Sequence, residues 1–234
     1  MRRAMLMISG IGTGVGLFAL FCVSIFYQCI PARAEETLPP TIQAISLPCH
    51  VEDTALVAVG LARYEGPFWE DGSDDEVADV AALVIENTGG THVAQGAVIL
   101  DWGTDRLVFE LSALPPGQRV LVLEKDRKAY LQTDFFSCYG WTRGVYPENM
   151  GIVTLEDMGG STLSVTNHTQ GEICAVRILY KNFDSGSGMY IGGVSYTTLV
   201  TDLQPGEVRQ ITPYRYFCGY SQVITLFTEY TGET

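Results

Sequence analysis

The sequence predicts an all-β protein: two tandem β-sandwich lobes that follow an apolar N-terminal export segment. Three observations carry that expectation. The chain beyond residue 34 is rich in Thr, Val, Tyr, Phe and Gly and short of Lys, which is strand-type usage. Strand-length apolar runs alternate with Asn-Thr-Gly and Pro-Gly punctuation at intervals of ten or so residues, as in sandwiches. Finally, the two halves repeat the same landmarks in the same order. A hydrophobic fraction of 47% supports a packed core.

The repeat is legible residue by residue. Ala82-Leu83-Val84-Ile85-Glu86-Asn87-Thr88-Gly89-Gly90 reads as a strand entering a turn, and Leu163-Ser164-Val165-Thr166-Asn167-His168-Thr169-Gln170-Gly171 repeats the plan. The β-rich runs Ala97–Leu100 and Val176–Tyr180 follow. Leu114-Pro115-Pro116-Gly117-Gln118 then parallels Leu203-Gln204-Pro205-Gly206-Glu207, and Phe136-Ser137-Cys138-Tyr139-Gly140 parallels Phe217-Cys218-Gly219-Tyr220. Asn and Gly tolerate the left-handed backbone of a tight turn, and Pro-Gly suits the centre of a type II turn. The Asn and Cys landmarks are each 80 residues apart, the Pro-Gly landmarks 89, so extra length is expected around Gly186–Gly193. In Arg119–Glu124 both faces are partly apolar, which predicts a strand covered on both sides. Helical signal is thin; residues Asp126 to Leu131 offer one turn.

The strand–Asn-Thr-Gly–strand–turn–strand–Leu-x-Pro-Gly–strand plan resembles bacterial extracytoplasmic immunoglobulin-like modules, including the FxLYD type. The resemblance covers about Val80–Leu123 and, less closely, Leu163–Ile211. The aromatic-x-Leu-Tyr-Asp string itself is absent; the nearest stretches are Val98-Ile99-Leu100-Asp101 and Ile178-Leu179-Tyr180-Lys181. The resemblance implies immunoglobulin-like lobes and an envelope-associated interaction module, and it carries over no functional residue.

Arg2 and Arg3 precede a run from Ala4 to Ile30 without a charged residue, and Ala32-Arg33-Ala34 forms a small-x-small site before Glu35-Glu36. Basic head, apolar middle and small-residue end predict a signal peptide; an uncleaved membrane anchor through residues 4–30 is the rival. Both place the remainder outside the cytoplasm, either secreted or held on the outer face of the membrane. The expected organisation is residues 1–34 signal peptide or anchor, 35–48 tether, 49–148 first lobe and 149–234 second lobe.

Residues 35–234 hold eleven basic residues against all 27 acidic ones, a formal charge of −16. Such a surface repels phosphate backbones, so nucleic acid is not expected as a partner. A protein or a cell-envelope component is. No cofactor motif stands out. With no Gly-x-Ser-x-Gly elbow and only His50, His92 and His168 scattered along the chain, no catalytic constellation is expected either. The expected function is therefore a non-enzymatic interaction or structural module. A secreted ligand- or carbohydrate-binding protein is the alternative, and an unrecognised hydrolase a more remote one.

Four cysteines outside the export segment, Cys49, Cys138, Cys174 and Cys218, are disulfide candidates. The favoured pairing is Cys49–Cys138 and Cys174–Cys218, each within one lobe; free buried thiols are the alternative. The acidic run around Asp71, Asp74, Asp75 and Glu76, after Pro67-Phe68-Trp69, is a weak Ca²⁺ candidate, with a solvated loop as the competing reading. Tyrosines crowd the second half, and Tyr190, Tyr196, Tyr216 and Tyr220 are candidates for a binding surface, with strand-face packing as the competing reading.

Overall fold

The computed structural model describes residues 44–230, apart from 74, 133, 145 and 147–150. The expected signal or anchor segment, its cleavage site, most of the tether and Asp74 lie outside the described residues. The described chain is all β, in thirteen strands: β1 (Cys49–His50), β2 (Leu56–Pro67), β3 (Glu76–Asn87), β4 (Val93–Asp101), β5 (Arg106–Leu114), β6 (Arg119–Leu123), β7 (Ser137–Arg143), β8 (Val153–Gly159), β9 (Thr162–Asn167), β10 (Ile173–Asp184), β11 (Met189–Leu203), β12 (Val208–Ile211) and β13 (Ser221–Tyr230).

One pairing pattern occurs twice. In the first half β1-β2-β3-β6 faces β5-β4-β7; in the second, β8-β9-β12 faces β11-β10-β13. The strands alternate as the period of two requires. Leu107, Phe109 and Leu111 of β5, Leu83 and Ile85 of β3, Val98 and Leu100 of β4, and Val120 and Val122 of β6 meet in one buried core. Val153, Leu163, Val165, Val176, Ile178, Tyr180 and Leu226 fill the other. Strand β6 is covered on both faces, as its sequence predicts. Leu123 and Leu121 turn away from the main core onto Phe68, Val80 and Ala82.

The paired landmarks have a common physical cause. Asn87 is fully buried; its Nδ2 donates to the carbonyls of Thr91 (2.9 Å) and Leu114 (3.1 Å), and its Oδ1 accepts from Gly89 N. Its backbone N–H donates to Gln118 O, and its carbonyl accepts from Gly117 N. Asn167 does the same in the second lobe. Its Nδ2 donates to Gly171 O, Leu203 O and Gln204 O, its Oδ1 accepts from Thr169, and its backbone pairs with Glu207 O and Gly206 N. Each Asn thus ties its own turn to the distant Pro-Gly turn, where Gly117 and Gly206 both take φ of 70°.

The expected extra length in the second half is the tip of the β10–β11 hairpin. Its role is architectural. Tyr190 and Ile191 pair in parallel with Val120 and Leu121 of β6, joining the two lobes into a seven-stranded sheet. The described residues fall in one compact unit. At residues 126–131 there is a turn and an isolated bridge from Val80 to Ala129 rather than a helical turn. Glu124, fully buried, accepts there from the N–H groups of Val108, Asp126 and Lys128. Ile45, placed in the tether by sequence, exchanges both backbone hydrogen bonds with Phe135 and packs on the first core, so the last residues of that segment belong to the first lobe.

Candidate functional site

The chemistry-bearing side chains converge on the junction between the lobes. The connection from β2 to β3 carries Phe68, Trp69 and Glu70 across the outer face of β6 and against β11. Glu70 keeps some exposed area, but protein surrounds its carboxylate on nearly every side. That carboxylate accepts from Leu123 N (2.8 Å) on the first lobe, and from Gly193 N (2.8 and 2.9 Å) and Val194 N (3.2 Å) on the second. Lys181, fully buried on β10, donates from Nζ to Ser112 O of β5 (2.9 Å) and to Gly193 O. Burial raises the Glu70 pKa, opposed by these N–H groups and by Lys181. Burial also drives Lys181 down to about 7. Gly193 is required by contact: a Cβ there would lie 2.0 Å from Glu110 O. Ser195 N donates to Ser112 Oγ (2.8 Å) beside it. Glu70 and Lys181 therefore act as an interlobe clamp. Neither residue stands out in the sequence; one lies in the acidic run and the other in an apolar strand.

The rest of the acidic loop is held from both sides. Arg127 reaches Asp71 (2.6 Å) and Asp75 (2.9 Å) and lies 4.6 Å from the centroid of the Phe68 ring. From the second lobe, Tyr214 Oη donates to Gly72 O (2.9 Å), and Arg215 donates to Ser73 O (2.5 Å) with its guanidinium 5.3 Å from the ring centroids of Trp69 and Tyr214. The Ser73 hydroxyl, the Ser73 N–H and Arg127 hold Asp71 down to about 2. Of the four Ca²⁺ candidates, Asp71, Asp75 and Glu76 lie among the described residues. The cation that Asp71 and Asp75 face is Arg127, and Glu76 lies on β3. Among the described residues no cluster of three or more His, Cys, Asp or Glu has metal-binding geometry.

Three of the four candidate tyrosines pack in or against the cores. Tyr190 is 4% exposed and belongs to the core of the first lobe, with Phe183 edge-on at 5.2 Å. Tyr216 is 2% exposed and donates to Asp157 Oδ1; burial, then that carboxylate, raises its pKa. Tyr196 is half-buried and stacks on Tyr180 at 5.7 Å. Burial raises Tyr180 to about 12, and its hydroxyl donates to Tyr214 O. Only Tyr220 is open, at 64% exposure.

Tyr220 lies on the rim of a cleft of about 570 Å³ lined mainly by Trp69, Ser161, Asn182, Phe183, Ile191 and Phe217, with Asp184 at its edge. The hairpin extension supplies one wall and the loop before β13 the other. Of these side chains only Tyr220 is among the binding candidates expected from the sequence. Trp69 stood next to the acidic run without a role, and Asn182 and Phe183 carry no sequence signal.

The structure records all four cysteines as thiols. Cys49 and Cys138 lie within hydrogen-bonding reach of one another, which lowers the Cys49 pKa and raises that of Cys138. The Cys174–Cys218 pairing is corrected. Cys174 sits at the start of β10, where Ile173 pairs with Tyr230; Cys218 precedes Ser221, which pairs with Asn182 near the far end of that strand. Eight residues of strand span roughly 26 Å, against a Cα separation of about 4.4–6.8 Å in a disulfide. Under oxidising, non-reducing conditions we expect intact-mass and peptide mapping to find at most one intramolecular bond, Cys49–Cys138, with Cys174 and Cys218 alkylatable. A Cys174–Cys218 peptide would refute that assignment.

The histidines stand apart. His50 is exposed on β1, His92 lies in the β3–β4 turn near Tyr146, and exposed His168 contacts Thr154 Oγ1 at 2.8 Å. Fold and junction thus define a class: an all-β, sandwich-like protein with two packed cores, a clamp of side chain–backbone hydrogen bonds from Glu70 and Lys181 between them, and an aromatic cleft beside it. No protein-family model, curated protein or solved structure matches the chain.

Proposed function

We propose that the chain is an exported, non-enzymatic interaction or structural module of the cell envelope, built from two immunoglobulin-like sandwiches and recognising a protein or another envelope component. The observation that carries this reading is the surface of the segment before β13. Within seven residues Tyr214, Phe217 and Tyr220 are 57%, 48% and 64% exposed. Large rings clustered on an otherwise acidic surface mark a contact site. The sheet orders support the immunoglobulin-like reading: β2-β3-β6 faces β5-β4-β7 in the first lobe as β8-β9-β12 faces β11-β10-β13 in the second. The resemblance of the Asn-Thr-Gly and Pro-Gly strand plan to FxLYD-type modules is in keeping with it. The buried charges support the non-enzymatic part, since Glu70, Lys181 and Glu124 are each held by backbone partners that fix the fold.

The test is capture of partners from the cell envelope with the full chain and with a Phe217→Ser/Tyr220→Ser variant. The wild type is expected to retain a specific partner that the variant, unchanged in circular dichroism, releases. Equal capture by both would remove the assignment of this surface. The cleft favours a second reading, a secreted binding protein freed by signal cleavage. Membrane fractionation with N-terminal sequencing separates the two: a chain beginning at Glu35 in the medium would sink the anchored form.

A further inference from the structure

From the cleft between the β10–β11 hairpin and the loop before β13, we propose that this protein binds a neutral saccharide there, a ligand class that narrows the interaction reading above and rests on it. The cleft, about 570 Å³, has the size of a small-ligand site. Its walls combine two kinds of surface. Trp69, Phe183 and Phe217 contribute rings, and Tyr220 adds one at the rim. Beside them are polar groups that have no hydrogen-bond partner among the described residues: the Asn182 amide nitrogen, the Ser161 hydroxyl and the Tyr220 hydroxyl. The Asn182 oxygen is already occupied, accepting from Ser221 Oγ at 2.8 Å, which fixes the amide in place.

Charge excludes one ligand class. No lining side chain is basic, and the Asp184 carboxylate at the edge is held ionised, chiefly by the Ser187 hydroxyl and then by the N–H groups of Gly186 and Ser187. Together with the −16 of residues 35–234, this opposes phosphates, sulfates and uronic acids. A purely apolar ligand is also a poor match, because it would cover the three polar groups without replacing their water. A pyranose satisfies both surfaces. Its axial C–H groups present a positive face to the electron-rich ring planes, and its equatorial hydroxyls exchange hydrogen bonds at the rim.

The hairpin extension explains how this cleft is assembled. Asn182, Phe183 and Ile191 belong to the extended arms of β10 and β11, and Trp69 reaches them from the first lobe only because the lobes are fused. The site is thus assembled by the junction and is absent from either half taken separately.

Calorimetric titration of the detergent-solubilised full chain with neutral tetrasaccharides of the gluco, manno, galacto and N-acetylglucosamine series tests the proposal. Tetragalacturonate and a Phe-containing tetrapeptide serve as comparisons. One neutral tetrasaccharide is expected to bind and tetragalacturonate not to. Tyr220→Ala, at an exposed position that leaves the core intact, is expected to weaken binding at least about tenfold, and Tyr220→Phe less. The proposal is overturned if no neutral saccharide binds at millimolar concentration, if Tyr220→Ala binds unchanged, or if the tetrapeptide binds more tightly. Partner capture by the wild type alongside absent saccharide binding would overturn the saccharide and leave the interaction reading standing. Loss of both would remove both.

Discussion

Glu70→Ala is expected to destabilise the protein by about 2–4 kcal/mol, the cost of leaving backbone N–H groups at the junction without their acceptor. The carboxylate accepts from backbone N–H groups of both lobes, so its loss leaves the amides of Leu123, Gly193 and Val194 unpaired and Lys181 buried without its counter-charge. Urea unfolding measures the effect, and a loss under about 1 kcal/mol would show that the clamp contributes only as a surface pair does. The double variant Glu70→Leu/Lys181→Met should recover only the part of the loss that comes from leaving Lys181 buried without an opposite charge, because the N–H groups of Leu123, Gly193 and Val194 still lack an acceptor.

The same pair sets a pH signature. The Lys181 pKa is about 7 in the folded protein against an ordinary 10.5. Between those values the unfolded chain binds a proton that the folded one does not, so stability rises with pH across that window and is lost as pH falls through about 7. Glu70 is shifted upward by burial, so its contribution is present below its ordinary 4.5 and lost as pH rises through its folded value. The rise above pH 7 should be visible in wild-type melting temperatures and missing in Lys181→Met. Parallel curves for the two proteins would refute it.

Asn87→Ala and Asn167→Ala are each expected to cost about 2–4 kcal/mol, since each strands one buried carbonyl, that of Leu114 or Leu203, and unties the partly buried groups of its own turn. The affected groups are those of Thr91, Leu114 and Gly89 in the first lobe, and of Gly171, Leu203 and Gln204 in the second. Asn→Asp should be no milder, because the carboxylate has no donor to offer those carbonyls. Equilibrium unfolding followed by tryptophan fluorescence and far-ultraviolet dichroism gives the values. Similar costs at the two positions would support duplication of one unit; a neutral substitution at either would argue against an equivalent role.

The features that local chemistry writes into a chain were legible from the residues alone. The alternation in Arg119–Glu124, the Asn-Thr-Gly and Pro-Gly turns and the recurrence of both gave strands, turns and a twofold organisation, because turn backbone and pleat periodicity depend on a few adjacent residues. The length mismatch between halves located the hairpin extension without revealing its use. Contacts between segments distant in sequence were not legible. Whether Asp71 and Asp75 face a metal or Arg127, whether Tyr190 looks outward or completes the neighbouring core, and whether Cys174 meets Cys218 all depend on register between distant strands.

By itself, then, the sequence determined the all-β character and the paired turns of two similar halves. Only the tertiary structure decided that the β10–β11 extension enters the first lobe's sheet, and that Glu70 and Lys181 lock the junction there. The physical reason is that strand alternation is a local property, whereas the partner of a buried charge or the wall of a cleft is set by which strand edges meet.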